Sequence, residues 1–297
     1  MRRTIVAPFA IDLGRSLGPL RVGAHDPTIQ LAERMVVRAT RTPLGPATIR
    51  AEHHGGRFEV EAWGEGAEWA LDQAPGLLGC LDDRTGFEPQ DELVRRLHRD
   101  GDGIRLPRTD RVLEALLPAV LGQRVTGFEA TRSYLQLVER YGEPAPGPGG
   151  LRLVPLAGTI AELGYYDLHL IGMEKRRADT LKRVCAHANR LEEAGRGTPG
   201  ALRERLEALP GVGVWTSAEV ARTALGDPDA VSVGDFHLKH LVSFALAGEE
   251  RGSDARMLEL LEPYLGHRGR VCRLLEEAGL GAPRRGPRKA IEPIAQR

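Results

Sequence analysis

The strongest constraint on how this chain can fold lies in the stretch Leu206–Lys239, LEALPGVGVWTSAEVARTALGDPDAVSVGDFHLK. A helical pattern ends near Leu209, Pro210-Gly211-Val212-Gly213 follows, and a second helical pattern starts at about Val214. The turn reads as too tight for a side chain at either glycine, so two helices must fold back on each other here. Twenty residues after Trp215, Gly234 ends an extended apolar run and Asp235 opens a further helix. A helix and a short return therefore bring one carboxylate back towards the turn.

The first N–H groups of a helix have no intrahelical partner, and at the positive end of the helix they form a phosphate site. Thr216 and Ser217 are expected to add hydroxyl donors in that first turn. Such a helix-hairpin-helix grips a DNA backbone without reading bases; the plainer alternative is an ordinary corner between two helices. Asp235 can be a simple N-cap. Yet a negative charge near a phosphate grip is unfavourable unless something uses it. Cleavage of an N-glycosidic bond would, because C1′ of the sugar becomes cationic as the base leaves.

The rest of the chain divides by period. Residues 1–88 carry β-type runs at Thr4–Ile11, Met35–Arg41, Ala47–Glu52 and Arg57–Trp63, the last alternating Phe58, Val60, Ala62 against Arg57, Glu59, Glu61. His54-Gly55-Gly56-Arg57 supplies a hairpin turn, and Ala67–Gln73 and Asp91–Arg99 are expected helices. From Thr109 on helices dominate: one capped by Thr109 or Asp110 and kinked at Pro118, then 128–141, 156–163, 173–194, 200–208, 214–225, 235–247, 254–262 and 267–279. The fold class is α+β, with a small antiparallel sheet domain (1–88), an all-α body (89–280) and a flexible basic tail (281–297).

Charge is balanced, 41 Lys+Arg against 41 Asp+Glu, which excludes an acidic disordered chain and a histone-like wrapper but not local DNA contacts. Cys80, Cys185 and Cys272 are too few and too scattered for a disulfide framework or an iron–sulfur cluster. No apolar stretch is long enough to span a membrane and no signal peptide is evident, so the expected location is cytoplasmic and no membrane partner is expected. His53-His54 looks like a metal pair only superficially, since adjacent strand residues point to opposite faces. Arg176-Arg177 and Lys182-Arg183 on one long helix read as a solvated face, with phosphate contact the alternative, and His237 and His240 flank a helix next to Asp235.

Taken together, LPGVGVWTSAE and VSVGDFHLK resemble the helix-hairpin-helix DNA glycosylase superfamily, in which such a hairpin precedes a catalytic Asp by about this spacing. LLPAVLGQRV at 116–125, GMEKRRADTL at 172–181 and the leading β-type domain are similar to its bacterial inducible 3-methyladenine glycosylase II branch. The resemblance implies a monomeric enzyme that acts on duplex DNA, flips out a damaged base and hydrolyses its glycosidic bond in base excision repair. It implies Asp235 as the catalytic carboxylate, Trp215 and Glu219 in the base pocket, and Gly211, Val212, Gly213, Thr216 and Ser217 on the DNA backbone. Gln123 would enter the gap left by the base, with Arg124 in the wedge position. Main-chain carbonyls of Glu207, Leu209 and Val212 would hold a Na⁺ or K⁺; no other cofactor is implied.

Bifunctional members of that superfamily carry a Lys in the second hairpin helix for a Schiff base. Trp215 stands there, and the only lysines are Lys175, Lys182, Lys239 and Lys289, so strand cleavage is not expected. Glu219 stands where the branch has a pocket aromatic, and three readings remain for it: a contact to an exocyclic donor of the base, a charge that repels or attracts a cationic alkylated base, or a solvent-facing acid. Alkylated purines lead as substrates, hypoxanthine follows, and a non-catalytic lesion-binding protein of the same fold is the alternative from another class.

Overall fold

The computed structural model describes residues 1–281; the expected flexible tail, Gly281 apart, lies outside the described residues. Five strands, β1 (Arg2–Val6), β2 (Ile29–Ala32), β3 (Met35–Thr42), β4 (Gly45–His54) and β5 (Arg57–Trp63), form one antiparallel sheet in the order β1-β5-β4-β3-β2. The alternation in β5 sets its register: Phe58, Val60 and Ala62 are buried, while Glu61 turns outward to Arg2 and Arg50. Gly55 and Gly56, at φ +54° and +82°, close the β4–β5 turn where His54 faces Arg57. The first strand stops at Val6, short of the expected Ile11, because Pro8 has no N–H to give a neighbouring strand. The edge strand β2 was not legible; four residues are too few for alternation to stand out.

Helix α1 (Leu13–Leu17) is capped by Asp12, whose carboxylate accepts from the Arg15 amide at 2.9 Å. Helix α2 (Ala67–Leu77) lies across β4 and β5, and Ala70, Leu71, Ala74 and Leu77 complete the sheet core with Ile49 and Phe58. On the opposite face, Val37 and Ala39 meet Leu151 and Leu153, the latter in a short ladder of β6 (Glu143–Pro144) and β7 (Arg152–Leu153).

The helical part contains α3 (Glu92–Asp100), α4 (Val112–Leu121), α5 (Gly127–Tyr141), α6 (Ala157–Glu162), α7 (Tyr165–Leu170), α8 (Lys175–Ala186) and α9 (Ala188–Ala194). It continues with α10 (Pro199–Glu207), α11 (Val214–Leu225), α12 (Leu238–Ala247), α13 (Asp254–Leu261) and α14 (Arg268–Glu277). Two apolar cores organise them. In the first, α4, apolar except for Glu114, is enclosed by α5, α8, α9 and α11. Its Leu116, Leu117, Val120 and Leu121 are fully buried, each contributing about 1.5–3 kcal/mol. In the second, Val94 of α3 packs among Leu238, Val242, Met257, Leu261, Val271 and Leu275 of α12–α14. The first helix of the body thus rests on the last, and Arg270, almost fully buried, ties α14 to Asp82 by a two-pronged ion pair.

Three local expectations are corrected. The stretch 173–194 is not one helix: His187 (φ −105°, ψ 10°) separates α8 from α9. Neither Thr109 nor Asp110 caps α4. Asp110 sits at φ +52° with its carboxylate on Arg108, and the α4 amides of Val112 and Leu113 donate instead to Glu192 of α9, at 3.2 and 3.0 Å. A cap supplied from eighty residues away leaves no local sequence signal. Nor is Arg177 on a solvated face; it is buried and donates to the carbonyls of Leu121 and Gly172, at 2.8 and 3.1 Å.

Glu192 also pairs with Arg111 at 3.1 Å, so Glu192→Ala strands two helix amides and a largely buried guanidinium. The expected loss is about 2 kcal/mol of unfolding free energy, read from the urea midpoint at unchanged slope. A midpoint equal to wild type would show that α4 needs no such cap.

Candidate active site

The turn is built as its composition demands, with one exception. Gly211 lies at φ +93°, and a Cβ there would come within 2.2 Å of the Thr180 hydroxyl on α8. Gly213 is extended (φ −112°, ψ −178°) and a Cβ on it would meet nothing within 4 Å, so tightness does not explain this glycine. The Val212 amide closes the turn on the Leu209 carbonyl at 3.0 Å and is not offered outward. Thr216 and Ser217 are also turned inward. Ser217 is buried and donates to Glu207 at 2.6 Å, and Thr216 accepts from Gln123 at 2.9 Å. Among the described residues, the exposed amides of Gly211 and Gly213 meet no acceptor, and α11 has no side-chain cap on its first-turn N–H groups.

Helix α8 is the platform for this turn. Its Arg183 donates to the Pro210 carbonyl at 2.7 Å, and Thr180 lies under Gly211. Gln123, just beyond α4, reaches the same turn and donates to the Gly211 carbonyl at 3.0 Å. Arg124 next to it is exposed at φ +58°, a conformation that costs a non-glycine residue energy and holds its side chain at the tip of the loop.

Asp235 is held from both sides. Its Oδ1 accepts from the His237 and Leu238 amides at 2.7 and 2.8 Å, capping α12, which consequently begins at Leu238 and not at 235. Its Oδ2 accepts from the indole Nε1 of Trp215 at 3.1 Å. The cap and the contact with the hairpin helix therefore coexist on one carboxylate. Phe236, which the sequence reading passed over, is 72% exposed and meets His237 and His240 edge-on. An aromatic directly after the Asp was the available signal.

Beside Trp215 lies a cavity of about 170 Å³ between the sheet domain and the helical body, lined by residues including Thr28, Arg38, Glu114, Tyr134, Trp215, Glu219 and Arg222. That is room for roughly five waters. Glu219 is not a solvent-facing acid. It accepts from Ser232 and, at 2.8 Å, from Arg222, which also reaches Glu276 at 3.2 Å. The Glu219 carboxylate beside it raises the Arg222 pKa above the ordinary guanidinium value. Across the cavity Glu114 accepts from Arg38, Thr40 and the Arg41 amide. Arg222 follows Glu219 at helical spacing and could have been read; the Arg38–Glu114 pair joins distant segments and could not.

A known fold matches this arrangement over nearly all of its length. The 3-methyladenine DNA glycosylase from Archaeoglobus fulgidus superposes with a TM-score of 0.78 at 20% identity, covering 93% of this chain and 98% of that one. The probable bifunctional transcriptional activator/DNA repair enzyme AlkA of Mycobacterium tuberculosis is 34% identical over 139 residues. The chain shares the fold of the Archaeoglobus glycosylase and is similar in sequence to the mycobacterial protein over part of its length. An 8-oxoguanine glycosylase/lyase of Clostridium acetobutylicum shares the fold more distantly, with a TM-score of 0.63 at 15% identity over 84% of this chain and 97% of that one. The match to the mycobacterial relative spans 46% of this chain and 28% of that protein. No family model matches the chain.

Within this fold, Trp215, Asp235, Gln123 and the hairpin come together, and Glu219 joins them at the cavity wall. His53 stacks on Phe58 and His54 meets Glu52 at 3.4 Å; among the described residues no group of three or more His, Cys, Asp or Glu is placed to hold a metal. Gly211→Ala should cost about 3 kcal/mol, from strained φ and the clash with Thr180. Gly213→Ala should stay within about 0.5 kcal/mol of wild type in the same unfolding experiment. Equal losses would mean that the turn geometry does not distinguish them.

Proposed function

We propose that this protein is a monofunctional DNA glycosylase that removes damaged purines, alkylated ones foremost, by hydrolysis of the N-glycosidic bond. The observation that carries it is the joining of hairpin and carboxylate through the Trp215–Asp235 contact. Duplex DNA would lay a phosphate on the unpaired amides of Gly211, Gly213 and the first turn of α11. With the base turned out of the stack, Gln123 and Arg124 stand at the duplex beside the hairpin, and Trp215 offers a ring face to the base.

The bond from C1′ to the base nitrogen then breaks, its electron pair leaving with the base, and positive charge develops at C1′. Asp235, fixed in place, stabilises that charge and orients the attacking water. Water oxygen bonds to C1′ and gives up a proton. A cationic alkylated base departs neutral and that proton passes to solvent; a neutral purine such as hypoxanthine takes up a proton as it departs. The sugar–phosphate backbone stays whole. A lyase step needs a free amine near C1′. Among the described residues, Lys175 pairs with Asp179, Lys239 with Asp254, and Lys182 donates to the Leu163 carbonyl, which favours hydrolysis.

In the same reading the main-chain carbonyls of Glu207, Leu209 and Val212, hard oxygen donors between the end of α10 and the start of α11, would hold a monovalent cation, with the Leu209 carbonyl also accepting from the Val212 amide. Bound there, Na⁺ or K⁺ would screen the phosphate charge.

Duplexes carrying 3-methyladenine, 7-methylguanine or hypoxanthine should lose the base with strands intact until heated or treated with alkali. Asp235→Asn should slow release by about 10²-fold or more with duplex affinity within about threefold. Gly213→Ala should do the reverse, weakening binding. Nicked strands without such treatment would contradict hydrolysis, and intact binding with no release of any base would favour a non-catalytic lesion binder.

A further inference from the structure

The wall of the cavity beside Trp215 is unusual in its chemistry. Two of its lining residues carry aromatic rings, Trp215 and Tyr134, and the Tyr134 hydroxyl lies 3.3 Å from Thr28 in a buried position. A base entering here meets one indole face, not a sandwich of rings. What it meets beside that indole is an ion pair: Glu219, one turn along α11, with Arg222 three residues further.

Both members of the pair are fixed. Ser232 and Arg222 hold the two oxygens of Glu219, and Glu219 and Glu276 hold the two terminal nitrogens of Arg222. Neither side chain has to be ordered when a ligand arrives, which lowers the entropic cost of using it. Neither is saturated. A carboxylate has about four lone-pair sites and a guanidinium five N–H groups, and two of each are spoken for. A strong acceptor and a strong donor thus stand 2.8 Å apart on one wall. Their complement is a neighbouring N–H donor and acceptor atom, the pattern on the six-membered edge of purines. In a 6-oxopurine the pair is N1–H and O6; in an adenine it is N6–H and N1.

Resting on the glycosylase function proposed above, we propose that Glu219 and Arg222 are the specificity-determining pair of the pocket. They read the donor and acceptor on the six-membered edge of the extruded purine. Substrates are then purines damaged elsewhere, at N3, at N7 or by deamination, with that edge able to pair. Purines whose N1 and exocyclic nitrogen are bridged are refused, because that edge then carries no N–H for the carboxylate, which is left facing an acceptor nitrogen or nothing.

The test is a ratio of single-turnover release rates within one protein sample, which does not depend on the fraction folded. Hypoxanthine and 7-methylguanine are compared with 1,N6-ethenoadenine, in wild type, Glu219→Leu and Arg222→Met. The expected wild-type ratio is about tenfold or more in favour of the open-edged bases. In either variant it should collapse to within about threefold, through slower release of those bases. A variant that slows all three lesions by one common factor would assign the pair a structural role and overturn the proposal, as would wild-type release of ethenoadenine at the hypoxanthine rate. Absence of release from every duplex would instead overturn the glycosylase function on which the proposal rests.

Discussion

The indole N–H of Trp215 donates to Asp235 across 3.1 Å, and that contact joins two parts of the molecule with separate apolar cores. Trp215 belongs to the helix that leaves the hairpin, anchored by Val212 and Val220 in the core around α4. Asp235 precedes α12, anchored by Leu238 and Val242 in the core shared with α3 and α14. Because the other oxygen of Asp235 is committed to the α12 amides, the carboxylate cannot swing without losing a helix cap. The position of the hairpin and the position of the acid are therefore one variable. In the proposed function, a surface that located a DNA backbone would also locate the carboxylate.

The same economy runs through the supports. Helix α8 presents Thr180 and Arg183 to the hairpin and, through buried Arg177, holds the carbonyl end of α4 that carries Gln123 and Arg124. Gln123 then closes the circuit back to the Gly211 carbonyl. Desolvation lowers the Arg177 pKa, and its main-chain acceptors return part of what burial costs. Hydroxyls at Thr216 and Ser217 stabilise this frame from inside. They leave the outward surface of the turn to main-chain N–H groups, which suits a contact indifferent to base sequence.

Much of this was readable from the chain because its signals are local. The turn residues, the helix of 214–225 and the alternation in β5 are set by neighbours within a few positions, and they fall where the sequence places them. The pairing of hairpin and Asp235 was legible from spacing. Illegible were contacts made across long separations: Glu192 capping α4, Arg177 turning inward, Glu114 gripping β3. Composition shows that an arginine is charged, not that carbonyls wait for it inside. Glu219 lay between these cases, since its position on the Trp215 face was clear but its partners came from Ser232 and Arg222.

The most direct measurement of the coupling is Trp215→Phe, which keeps a ring against the cavity and removes the single N–H that reaches Asp235. Single-turnover base release and duplex affinity should be measured on the same preparation. Release should slow by about tenfold or more while affinity stays within about threefold, because the grip survives and the carboxylate loses its outer tether. Release at the wild-type rate would contradict the dependence of Asp235 on Trp215.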